Sequence, residues 1–497
     1  MRGALSVVVA GIAWMSLVNA AAAQSGATLT SEGISADSPR KSVTQHHIRV
    51  NGGDFDYTAI VADDIIPGVD TKPGAAVVTI AYVRHGTDAT QRPVMFLFNG
   101  GPGASSSPLH MSALGPARRL ASTSSDRNSS THTDNADSPL DVVDLVFIDP
   151  VSTGFSRALP GVDPKQWYDG RSDAVEVGRV IEDWLRANHR ESSPLFLAGE
   201  SYGTTRAGLI LKYCPQLHFL GVLLISGGDH SVSGPDAHYI ETVPPMAAGA
   251  YFHDKAAHNG RTLEQVVAAA RRFARTQYAQ ALAKGTSLSS ASRQQVAAQL
   301  ASFIGLPEAF VESHDLRIST NDYMFTLLKD QSLRTGLLDV RSTSPLMKNA
   351  AGAIDDPALG VVAPSATSSK APTPEEVGAV ASPGVAAYLR DQLKFPSQDP
   401  YIGVNFTANV AWTYDENGDT AALVAQRMRQ DSRMRLLVAS GLFDMATAGD
   451  GSGFVQAGVP AKRMTFVSLP GGHEVYGDET THARFGVAVR SFVQGRP

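Results

Sequence analysis

Residues 195–203 read Leu-Phe-Leu-Ala-Gly-Glu-Ser-Tyr-Gly, and helix-like sequence follows over 204–213. The apolar run 195–198 suits a strand buried on both faces. A chain that passes from such a strand into a helix across Gly-x-Ser-x-Gly turns so sharply that a side chain at either glycine would obstruct it. The turn lifts the Ser201 hydroxyl above the sheet edge. The helix N-terminus beneath it brings the positive end of a dipole close to developing negative charge. This nine-residue stretch restricts the fold to one in which a buried strand carries an exposed serine into a helix.

The rest of the chain is consistent with that layout. Strand-like runs fall at 55–61, 75–83, 94–98, 145–149, 195–198 and 222–226. Between two of them Val177, Val180, Ile181, Trp184 and Leu185 recur at helical spacing, and Ser193-Pro194 punctuates before the next strand. Strand, helix, strand in this order indicates an α/β sheet, mostly parallel. From 229 to 400 the pattern becomes helical. Thr262 with Gln265, and Ser292 with Gln295, fit capping boxes, and 361–384 reads as a flexible connection rich in Pro, Ser, Ala and Thr. Strand signals return at 435–439 and 464–469. Helices that interrupt a sheet point to a cap inserted over a site. The expected layout is therefore core over 45–228, cap over 229–400 and core again over 401–497, with 24–44 a mobile arm.

Composition narrows the function classes. With 43% hydrophobic residues in 497, the chain can bury a sizeable core. A net charge of −6 with no basic surplus argues against nucleic acid as a partner. Arg2, the apolar stretch 4–18 and Ala21-Ala22-Ala23 read as an export signal over 1–23, so the expectation is a periplasmic or secreted protein with no membrane association after cleavage. Cys214 is the only cysteine, which rules out an intramolecular disulfide. It is expected to fill space at a helix end.

A serine hydroxyl needs a histidine base oriented by an acid. In the strand-turn-helix arrangement these partners follow in the order Ser, acid, His. Asp444 follows the 435–439 strand and His473 follows the 464–469 strand in Pro470-Gly471-Gly472-His473, both at the edge where ligands meet an open sheet. Asp229, after the 222–226 strand, is the rival acid. The loop Asn99-Gly100-Gly101-Pro102-Gly103-Ala104-Ser105-Ser106 follows the 94–98 strand, where this arrangement takes its second oxyanion donor. The N–H groups of Gly101 and Tyr202 are assigned to that hole.

At this point the chain resembles the serine carboxypeptidase family, as a disulfide-free member of bacterial type. The resemblance rests on five ordered segments: Asn99 to Ser106; Leu145-Val146-Phe147-Ile148-Asp149-Pro150 with Gly154-Phe155-Ser156; Gly199 to Gly203; the Asp444 loop; and Gly472-His473. It implies an α/β-hydrolase fold with a helical cap and needs no cofactor or metal. It implies Ser201 as nucleophile, His473 as base and Asp444 as its orienter. The implied substrate is a peptide with a free C-terminus, whose carboxylate is bound by Asn99, Gly100 and Glu200. A carboxylate facing Glu200 is repelled unless Glu200 carries a proton.

Three positions depart from the family pattern. Ala113 stands in Ala113-Leu114-Gly115-Pro116 where a second glutamate is usual, Leu97 replaces a tryptophan and Ala104 a cysteine. The first two weaken the carboxylate assignment and leave the triad untouched. Arg118 or Arg119 could supply a positive partner for the carboxylate, against the plainer reading of a surface pair. The alternatives to a carboxypeptidase are an esterase or acyltransferase with the same triad, and a catalytically silent binding protein.

Overall fold

In a computed structural model that describes residues 34–119, 132–229, 231–346, 378–416 and 418–496, the chain opens with three antiparallel strands, β1 (Lys41–Val50), β2 (Gly53–Pro67) and β3 (Pro73–Arg84). Six shorter strands follow: β4 (Val94–Phe98), β5 (Asp144–Asp149), β6 (Leu195–Glu200), β7 (Phe219–Ile225), β8 (Arg435–Gly441) and β9 (Met464–Leu469). All nine join one ten-stranded sheet in the order β1-β2-β3-β5-β4-β6-β7-β8-β9, with Arg157–Ala158 pairing beside β3. From β5 to β9 every neighbouring pair is parallel.

Side-chain alternation divides the sheet's apolar residues between two layers. Phe96, Val146, Leu197, Leu224 and Val438 face a layer shared with the helices α1 (Gly170–Ala187) and α2 (Tyr202–Tyr213). Leu97, Phe147, Ala198, Leu223 and Ala439 face the opposite layer. β4, β5 and β6 are buried along their whole length, which is why their sequences are nearly unbroken apolar runs.

A third apolar cluster belongs to the inserted helices α3 (Ala237–Phe252), α4 (Leu263–Phe273) and α5 (Ser290–Ile304), and it takes in Leu442, Phe443 and Met445 from the loop after β8. The helix α6 (Thr420–Gln430) returns to the layer of α1 and α2, and α7 (Glu479–Gln494) covers the opposite face. Among the described residues no helix is long and apolar enough to cross a membrane.

The expected segment 1–23 lies outside the described residues. The arm expected over 24–44 ends sooner: Lys41 to Thr44 already pair with β2, and Arg40 clamps Asp63 at 2.8 Å through both its backbone N and Nε. β1 escaped notice because its inward face, part-buried to buried, is built from Ser42, Thr44 and His46 before Ile48 and Val50, so its sequence shows no continuous apolar stripe. The flexible stretch expected over 361–384 lies outside the described residues up to 377. Beyond that, Ala379–Ala381 is a strand paired with Ile402–Asn405, and Pro383 opens a helix. Thr262 and Gln265 form the expected capping box. The cap of α5 is Ser289 rather than Ser292, because the Ser289 side chain reaches the Ser292 N–H.

Candidate active site

Ser201 stands between β6 and α2 with φ 59° and ψ −128°, a positive φ that makes the sharp turn expected there. A Cβ on Gly199 would collide with the Gly203 carbonyl, so the turn admits only glycine there. The Ser201 N–H donates to the Ile225 carbonyl at 2.9 Å, and the next residue, Ser226, donates its hydroxyl to the His473 carbonyl at 2.6 Å. The end of β7 therefore ties the elbow to the histidine loop.

His473 Nδ1 and Asp444 Oδ2 are 2.8 Å apart and both residues are buried. Asp444 Oδ1 accepts the N–H groups of Ala446 and Thr447 at 2.8 and 3.2 Å, and Oδ2 also accepts the Thr447 hydroxyl at 2.5 Å. Thr447 Oγ1 lies 3.2 Å from His473 Nδ1. The rival acid has a different task. Asp229 accepts the backbone N–H groups of Asp450, Gly451 and Gly453, which fastens the loop that carries Asp444.

The Asn99 loop packs directly on the elbow: a Cβ on Gly100 would collide with the Tyr202 nitrogen. That contact sets the Asn99 loop against the start of α2, and neither the Gly101 nor the Tyr202 N–H donates to another described residue. Asn99 Nδ2 donates to Glu200 Oε1 at 2.8 Å, while its Oδ1 accepts the Leu109 N–H at 3.1 Å. Below them Arg206 is paired with Asp173 at 2.8 Å and donates to the Asn99 carbonyl. Glu200 is 2% exposed, and burial pushes its carboxyl up to about 8, with the Glu474 and Asp444 charges raising it further and His473 and Tyr476 pulling it down.

Two participants escaped the sequence reading. Tyr476 donates its hydroxyl to Glu200 Oε2 at 2.7 Å, and Thr447 braces Asp444. The signal for Tyr476 was indirect: a chain lacking the second glutamate leaves Glu200 in need of another partner. Ala113 is buried, and its carbonyl accepts from Asn135 and His482. Arg118 is ion-paired with Glu479 at the start of α7, which favours the surface-pair reading. Cys214 caps the end of α2, its thiol 3.7 Å from the Ala174 carbonyl and pushed up to about 11 by burial.

The parallel sheet, the elbow after β6 and the inserted helices make up the α/β-hydrolase fold. Residues 81–217 match the serine carboxypeptidase family. Among solved structures the chain is similar to Kex1(delta)p, a prohormone-processing carboxypeptidase from Saccharomyces cerevisiae, with a TM-score of 0.51 at 13% identity, over 92% of this chain and 91% of that one. It is more distantly similar to a proline iminopeptidase-related protein from Thermus thermophilus (TM-score 0.33, 12% identity, 87% and 99% covered) and to a loop variant of a haloalkane dehalogenase from Bradyrhizobium elkanii (0.33, 13%, 91% and 97%). No curated protein matches the sequence. The family match covers 81–217, the stretch that carries the Asn99 loop and the Ser201 elbow, and the likeness to Kex1(delta)p extends the same fold over most of the chain.

Proposed function

We propose that the protein is an exported serine carboxypeptidase that releases C-terminal amino acids through an acyl-enzyme. The observation that carries the reading is the His473–Asp444 contact of 2.8 Å, joined through Ser226 and Ile225 to a serine at positive φ. His473 meets Asp444 through Nδ1, so Nε2 is the nitrogen that takes the Ser201 proton as Oγ attacks the scissile carbonyl. The N–H groups of Gly101 and Tyr202 receive the oxyanion. The imidazolium returns its proton to the departing amino group, the C–N bond breaks, and the acyl chain stays on Ser201. Water, deprotonated by the same nitrogen, then attacks the ester and regenerates the hydroxyl.

Asn99, Gly100 and a protonated Glu200 bind the substrate's C-terminal carboxylate in this reading. The N-terminal sequence supports export. Purified wild type and Ser201→Ala, incubated with N-blocked peptides, provide the test. Wild type is expected to release single C-terminal residues, and Ser201→Ala to lose at least about a thousandfold in kcat. Undiminished turnover by the variant, or internal cleavage by wild type, contradicts the assignment. Turnover of simple esters without amino-acid release would favour the esterase or acyltransferase alternative.

A further inference from the structure

Glu200 is gripped from two sides. Asn99 Nδ2 holds Oε1 at 2.8 Å and the Tyr476 hydroxyl lies 2.7 Å from Oε2, with all three residues no more than 3% exposed. The orientation of the Asn99 amide follows from its other end, where Oδ1 accepts the Leu109 N–H. Oε1 is therefore an acceptor, and the proton of a neutral Glu200 resides on Oε2, the oxygen that also accepts the Tyr476 hydroxyl. Two oxygens then hold two protons. One proton joins the oxygens and the other is available to an incoming acceptor. Ionisation removes that spare donor, because the phenol's proton is then engaged by Oε2, and it adds a charge that repels a carboxylate.

We propose that Tyr476 is a positioning residue for recognition of the substrate's C-terminal carboxylate, forming with Glu200 a two-proton pair that offers one hydrogen bond outward. This rests on the carboxypeptidase reading above and extends it to a residue outside the motifs that suggested it. Ala113 supplies no second carboxyl in the segment where the family resemblance led us to expect one. The charged and titratable groups around the pair are His473, Glu474 and Asp444. Burial holds Glu200 protonated up to about pH 8, so carboxylate binding is expected to persist at neutral pH and to weaken above it.

The test compares an N-blocked dipeptide as free acid and as C-terminal amide between pH 5 and 9.5. For wild type, kcat/KM on the acid should fall about tenfold per pH unit above the Glu200 titration, with no such limb on the amide. In Tyr476→Phe, KM for the acid should rise about tenfold with KM for the amide unchanged. The alkaline limb should also move to higher pH, since the phenol no longer favours the carboxylate. Glu200→Gln should abolish the limb while keeping a donor. Equal KM changes on acid and amide in Tyr476→Phe, an unmoved limb in that variant, or a limb that persists in Glu200→Gln would each overturn the role of Tyr476. A wild type that does not prefer acid over amide would overturn the underlying carboxylate reading instead, and the proposal with it.

Discussion

Thr447 shows how much of the site is set by single hydroxyls. Its Oγ1 donates to Asp444 Oδ2 at 2.5 Å and lies within 3.2 Å of His473 Nδ1, so the acid is held in the plane where it meets the imidazole. Thr447→Val preserves the shape and deletes the donor. It is expected to lower kcat/KM about tenfold on any substrate of the triad, because one hydrogen bond to a charged group is removed. Thr447→Ser should restore most of the loss, and unchanged kcat/KM in the valine variant would dismiss the brace. Ser201, Asp444 and His473 could be read in the chain because each sits in its own local signature: glycines around a serine, and a loop directly after an apolar run. Thr447 and Tyr476 carry no such mark. Their meaning comes from a neighbour in space, an acid three residues back in one case and a carboxyl 276 residues away in the other.

At the level of elements, the inserted region is tied to the loops that carry the candidate acid and base. Segment 337–341 lies between the loops that carry Asp444 and His473: Leu338 O accepts the His473 N–H at 2.6 Å, the Val340 N–H donates to Phe443 O at 3.0 Å and the Met445 N–H to Leu337 O at 3.1 Å. Arg341 adds a bond to Pro470 O, and Arg271 at the end of α4 and Arg275 in the turn after it reach Asp450. The loop after β8 is thus held by the cap on one side and by Asp229 on the other. The two aspartates are separable by experiment. Asp229→Asn turns an amide toward three N–H donors and should destabilise the protein by about 2 kcal/mol, seen as a lower Tm and faster proteolysis between 445 and 452. Asp444→Asn should leave Tm almost unchanged and lower kcat about a thousandfold or more. The opposite pattern would return the triad role to Asp229. These braces could not be read beforehand, since they join segments more than a hundred residues apart, several of them through backbone groups that carry no side-chain signature. The buried strands β4 to β6 could, because burial on both faces writes itself as an unbroken apolar run, whereas the edge strand β1, with one face exposed and polar residues on much of the other, leaves none.

For the whole molecule, enclosing a sheet between two apolar layers and a cap removes acids from water along with the hydrocarbon. Burial pushes Asp64 up to about 7 and Glu176 and Glu200 up to about 8. Their ordinary values are 3.8 for the aspartate and 4.5 for the glutamates. Between the ordinary and the raised value the folded chain keeps a proton that the unfolded chain has released, so stability falls as pH rises through that window. Buried histidines act in the opposite sense. His110 is held down at about 3, so below its ordinary 6.5 the unfolded chain takes a proton that the folded chain refuses, and stability falls as pH drops. The two trends oppose each other in mild acid. Above pH 6.5 the contribution of His110 is level and the carboxyl trend continues alone, at up to about 1.4 kcal/mol per pH unit for each acid still protonated in the fold. Tm is therefore expected to decline from pH 6.5 to 8.5, most of it below the titrations of Glu176 and Glu200. Glu176→Gln keeps Oε1 as the acceptor for the Val151 N–H, now 2.9 Å away, and removes one titration, so its decline should be shallower than that of wild type. Calorimetric scans of both proteins across this range check it: a wild-type Tm that stays level or rises would mean that these carboxyls are already ionised in the folded protein.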